Sequence, residues 1–148
     1  MALTATSFPN LAVGETLLTD GKESLWRTCP AGYYDTAKGI PTSLLFKEST
    51  GDDGCLSTGR STKTTPQELI KHRQGLGKSV AGAWQVKVSD VQGVGLRAVD
   101  DSQVQPPPTS PGHAYIDIRI GRDMSRPEKE QYRSLLLLAA LEHNHVLA

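Results

Sequence analysis

Long apolar runs are missing from this 148-residue chain: the longest, Leu135 to Leu141, is only seven residues and cannot cross a bilayer. The first eighteen residues carry no basic side chain ahead of their short apolar stretches, so they read neither as a signal peptide nor as a membrane anchor. Cysteine is scarce as well. Cys29 and Cys55 are too few for a disulfide framework and lack the paired spacing of a zinc site, which points to a reduced, cytoplasmic setting. An excess of one charge is also absent, since sixteen basic residues balance sixteen acidic ones. Without an overall positive field, nucleic acid is not the expected partner. Finally, the chain contains no P-loop and no G-x-G-x-x-G, G-x-S-x-G, H-E-x-x-H or C-x-x-C motif, so any enzymatic site must be assembled from scattered residues. No residue set calls for a cofactor or a metal.

What is present is enough for one hydrophobic core, with 37% apolar and 22% charged residues in a chain near the modal size of a domain. Residues 1–20 lack a sustained period and are expected to form a partly ordered leader. Residues 21–148 are expected to form a single α+β domain, a small, mostly antiparallel sheet packed by two helices.

The strands come from alternation. Ala83 to Val88 places Trp84, Val86 and Val88 on one face, and His113 to Ile120 places Ala114, Ile116, Ile118 and Ile120 toward the core with His113, Tyr115, Asp117 and Arg119 opposite. Ser24–Thr28 and Cys55–Ser57 read as shorter strands, Thr42–Lys47 fits a strand or one helical turn, and 51–54 reads as a turn. Helix signals are clearer. Thr65-Pro66-Gln67-Glu68 and Ser125-Arg126-Pro127-Glu128 each combine a capping hydroxyl, an early proline and a glutamate three residues on. They predict helices from Pro66 to about Gln74 and from Ser125 through Leu141, the latter amphipathic. Between the strands, 105–112 holds four prolines and must be extended, most simply as a stiff connector.

Chemistry is sparse along the chain. Arg27, Lys47, Ser57, Arg60 and His113 form a candidate ligand set: three cations, a hydroxyl and an imidazole would suit a phosphate or nucleotide if the strands pair. Lys63, Lys71, Arg73 and Lys78, with His72 among them, give a weaker nucleic-acid patch around the first helix. His143 and His145 are too few to hold a metal and are better placed to complement the helix dipole.

Several short motifs carry a resemblance. Leu25-Trp26-Arg27, Pro41-Thr42-Ser43 with Phe46-Lys47, Gly54-Cys55-Leu56-Ser57 with Arg60-Ser61, Ala81-Gly82-Ala83-Trp84 and His113-Ala114 together resemble a group of small, mostly uncharacterised bacterial and phage-associated proteins. That resemblance implies a setting among mobile elements and no particular reaction. A looser likeness is to NAD-dependent ADP-ribosyltransferases, which implies that Arg27 and Ser57-Thr58 would help hold a dinucleotide. The glutamate that completes that family's site has no counterpart in context, because Glu68 lies in a capping box and Glu142 on the last helix. The expected function is therefore an accessory or partner-binding protein of a bacterial mobile-element, toxin or phage-defence locus. It would engage a protein partner or a second copy through Leu135, Leu138 and Leu141. The alternative is a nucleotide- or NAD-binding enzyme with a cationic pocket.

Overall fold

Two well-alternating segments do become strands, and the sheet grows outward from them. The structure is a computed structural model and describes residues 8–48, 54–107, 109–120 and 124–148; most of the turn expected at 51–54 lies outside these residues. In chain order its strands are β1 (Thr16–Leu17), β2 (Ser24–Pro30), β3 (Tyr34–Asp35), β4 (Ile40–Pro41), β5 (Cys55–Arg60), β6 (Val80–Lys87), β7 (Arg97–Asp100), β8 (His113–Asp117) and β9 (Val146–Leu147). The helices are α1 (Pro66–Gly75), α2 (Val88–Gly93) and α3 (Arg126–Leu141). Seven strands form one sheet in the order β1-β7-β8-β5-β2-β6-β9, every pair antiparallel, and β3 and β4 make a separate ribbon. The fold is α+β, with a third helix beyond the two that the sequence predicts.

Local chemistry sets the ends of these elements. The Thr65 hydroxyl accepts the Glu68 N–H at 3.2 Å and opens α1. Ser125 and Glu128 cap α3 reciprocally, the serine N–H donating to the Glu128 carboxylate at 3.2 Å. Strand β6 ends where Asp90 accepts the Lys87 N–H at 2.8 Å and turns the chain into α2, so Val88, expected on the strand, opens a helix instead. Strand β8 stops at Asp117, three residues short of the predicted end. There the Asp117 carboxylate accepts the backbone N–H of Arg119 at 3.0 Å, and a side chain takes over from the ladder. Thr42–Lys47 resolves as a 3-10 turn over Ser43–Phe46.

The core contains Leu25, Leu45, Phe46, Leu56, Trp84, Val86, Ile116, Ile118 and Ile120, closed by Tyr132, Leu136 and Ala140 of α3. Tyr115 and Asp117, expected on a solvent-facing surface, are buried too. The N-terminal stretch reaches that side of the sheet: Tyr115 donates to Glu15 at 2.8 Å, and Arg97 pairs with Asp117 while donating to the Pro9 carbonyl. Part of the expected leader thus joins the sheet, with β1 on β7 and Leu18 in the core. Among the described residues no helix is long and apolar enough to cross a membrane.

Candidate functional site

The ladder between β2 and β5 is short. It holds at Leu25↔Arg60 and Trp26↔Gly59 and then ceases, while β2 stays paired with β6 as far as Pro30. Beyond the break, the Arg27 guanidinium spans the gap, donating from Nε to the Leu45 carbonyl at 2.5 Å and from Nη1 to the Ser57 carbonyl at 2.8 Å. A charged side chain thus bridges the backbone of two strands that no longer pair, and a cavity of about 550 Å³ opens at this point.

Its lining is strongly one-sided in charge. Arg27 of β2, Lys47 after the 3-10 turn, His72 and Arg73 of α1, Lys78 and His113 of β8 all border it, and no aspartate or glutamate does so among the described residues. Among the described residues Lys47, Arg73 and Lys78 make no ion pair there. The Arg73 Nε is buried without a hydrogen-bond partner among the described residues, a costly arrangement unless an acceptor arrives. Trp26 and Tyr33 add aromatic surface, and Gln105, Pro106, Thr109 and Ser110 of the proline-rich segment form a further wall. That segment therefore borders the cavity as well as connecting β7 to β8.

A hydrogen-bonded chain of three side chains reaches the cavity from behind. Ser57 Oγ lies 2.8 Å from His113 Nε2, and His113 Nδ1 lies 2.6 Å from Asp101 Oδ1. A carboxylate only accepts, so Nδ1 carries a proton, and in the neutral imidazole Nε2 is then the acceptor of the serine hydroxyl. Cross-strand register brings them together, since Ser57 faces Tyr115 and Gly59 faces His113, making Ser57 and His113 diagonal neighbours on one face. Asp101 is 1% exposed; its other oxygen accepts from Gln105 Nε2 at 2.7 Å, and its carbonyl accepts the Val104 N–H at 3.0 Å. The imidazole is thereby held in one orientation.

Of the five residues proposed from sequence as a ligand set, Arg27, Lys47, Ser57 and His113 border this cavity. Arg60 does not. It points to the other side of the sheet, where Nε and Nη2 grip Glu23 at 2.6 and 2.8 Å and Nη1 meets Asp100 at 2.7 Å. Alternation on β5 explains the split, because position 60 falls on the opposite face from position 57. His72, Arg73 and Lys78, grouped from sequence as a nucleic-acid patch, share the cavity with Arg27. Asp101 escaped sequence reasoning altogether, since a single aspartate after a short strand carries no periodic signal.

Neither cysteine competes as a nucleophile. Burial pushes both thiols up to about 11, which leaves almost no thiolate near neutrality. Nor do the terminal histidines assemble a metal site: His143 meets Asp90 at 3.0 Å, and His145 stacks on Trp84 with ring centroids 5.0 Å apart. No group of three or more potential metal ligands occurs among the described residues. Leu135, Leu138 and Leu141 all lie on the outward side of α3, 44%, 59% and 37% exposed. No family model matches the chain, and neither does any curated protein or solved structure.

Proposed function

We propose that the chain binds a phosphate-bearing nucleotide in the cavity beside the β2–β5 break. The observation that carries this reading is the lining itself, in which the four cations Arg27, Lys47, Arg73 and Lys78 converge beside His72 and His113 with no acidic side chain among the described lining residues. Like charges brought together repel, and a partly enclosed cavity screens them poorly. An anionic ligand offsets that repulsion. The volume suits a small organic ligand, and Trp26 and Tyr33 offer faces on which a base can stack. The likeness to ADP-ribosyltransferases favours a dinucleotide such as NAD, with Arg27 near its phosphates.

Thermal unfolding of the full chain with NAD, ADP-ribose, pyrophosphate and uncharged adenosine tests this proposal. A phosphate-bearing ligand at a hundred times its Kd adds about 2.7 kcal/mol to stability, and adenosine adds far less. The gain shrinks in Lys47→Ala and Arg73→Ala, positions that hold no ion pair among the described residues. If no phosphate-bearing compound shifts the transition, the proposal fails.

The exposed leucines of α3 support a second reading, in which this helix docks a protein partner or a second copy. Light scattering on the purified chain bears on it directly: a strict monomer that Leu138→Glu leaves unaltered weighs against self-association.

A further inference from the structure

We propose that Ser57 is a nucleophile that accepts a phosphoryl group, with His113 as its base and Asp101 as the residue that positions the imidazole, so that the chain hydrolyses a phosphoester or phosphoanhydride bond. The choice of phosphorus as electrophile rests on the phosphate-binding reading above, whereas the nucleophile rests on the Ser57–His113–Asp101 geometry alone.

Two hydroxyls on neighbouring positions of β5 make the contrast. Thr58 Oγ1 donates to the Ala114 carbonyl at 3.0 Å, which satisfies a buried hydroxyl and does nothing more. Ser57 Oγ instead meets a ring nitrogen at 2.8 Å, and that nitrogen is the free base end of an imidazole whose other end is fixed by a buried carboxylate. Nucleophile, base and orienting group stand in hydrogen-bond sequence, which is the arrangement that activates a serine. The serine is fixed as well, since its own carbonyl accepts from Arg27 Nη1 at 2.8 Å. Both Ser57 and His113 open onto the cavity, and the cations around it are suited to stabilise negative charge developing on phosphoryl oxygens.

In the first half-reaction the Ser57 hydroxyl proton passes to His113 Nε2, the Oγ–P bond forms and the bond from phosphorus to the leaving oxygen breaks. His113 then returns that proton to the leaving oxygen. In the second half-reaction water gives a proton to His113 and attacks phosphorus, the Oγ–P bond breaks, and Ser57 recovers its proton from the imidazole. Water is the only co-reactant and no redox change occurs.

The test is covalent capture by diisopropyl fluorophosphate, in which Oγ–P forms and fluoride leaves. Intact-mass and fragment spectra of the full chain are expected to place one adduct on Ser57, absent from Ser57→Ala. Adduct formation slows by about 10²–10⁴-fold in His113→Ala and recovers with added free imidazole; it slows also in Asp101→Asn, the second variant should the first fail to fold. A chain that forms no adduct, labels another serine, or labels at an unchanged rate in both variants overturns the proposal. Calorimetric titration of pyrophosphate into Ser57→Ala separates the two readings. Pyrophosphate binding without labelling of the wild-type chain defeats the nucleophile and leaves the phosphate site standing. Labelling without pyrophosphate binding does the reverse for the phosphate site and removes phosphorus as the natural electrophile.

Discussion

Arg60 and Glu23 are 37 residues apart in the chain, yet they meet as a two-pronged pair at 2.6 and 2.8 Å, with the glutamate side chain 4% exposed and the guanidinium 19%. The hydrogen bond with Glu23, followed by the one with Asp100, raises the Arg60 pKa further above its ordinary value. The pair ties the loop before β2 to the end of β5, on the face away from the cavity.

Arg60→Ala therefore strands a buried carboxylate. Breaking a buried pair costs about 3–5 kcal/mol, and the partial exposure of the guanidinium places this one near the lower figure. Urea unfolding reads that loss, while calorimetry on the folded variant is expected to find pyrophosphate affinity unchanged. Loss of affinity with intact stability would instead move Arg60 into the binding machinery.

Acid weakens the fold through Asp117 and Asp100. Burial pushes the Asp117 carboxyl up, but hydrogen bonds from the Arg119 side chain and backbone and from Arg97 outweigh it, and the pKa ends below its usual value. Asp100 behaves alike: burial raises it, and bonds from Ser102 and Arg60 bring it lower. A carboxyl held low in the folded chain stabilises it above the unfolded value of about 3.9, and that contribution disappears as pH falls through the folded value. Unfolding free energy is thus expected to be level on this account from neutrality to about pH 5 and to fall below about pH 4. Asp117→Asn is expected to be less stable at pH 7 by about 3 kcal/mol, because Arg97 and Arg119 lose their counter-charge, and its acid slope is expected to be shallower. An unchanged slope would refute this account.

On α3, position decides what a leucine contributes. Leu136 is fully buried and Leu138 is 59% exposed. Leu136→Ala is expected to cost about 2–5 kcal/mol, and Leu138→Ala no more than about 0.5 kcal/mol. Chemical denaturation of both variants checks this, and equal losses would mean that the helix is seated differently.

The candidate site was legible in part. Arg27, Lys47, Ser57 and His113 stand out in the sequence as residue types that suit an anion, and all four border one cavity. Their company was not legible: His72 and Arg73 look like a solvated helix face until α1 is laid beside β2, and Asp101 looks like an ordinary turn residue until it is found behind His113. Arg60 differs from Ser57 only by strand parity, and it serves the opposite face.

By itself, the sequence determined whatever depends on neighbours a few residues apart. Thr65 and Ser125 start their helices because a hydroxyl reaches an N–H three residues on, and the alternation around Trp84 and Ile116 makes strands because side chains switch faces at every step. Tertiary structure alone decided where β2 and β5 part, which face of β8 the N-terminal stretch would cover, and that residues 57, 101 and 113 would form a hydrogen-bonded chain. Those outcomes depend on strand order and register, which join segments 12 or more residues apart. They are fixed by the burial of the whole core, and no local window of sequence contains that.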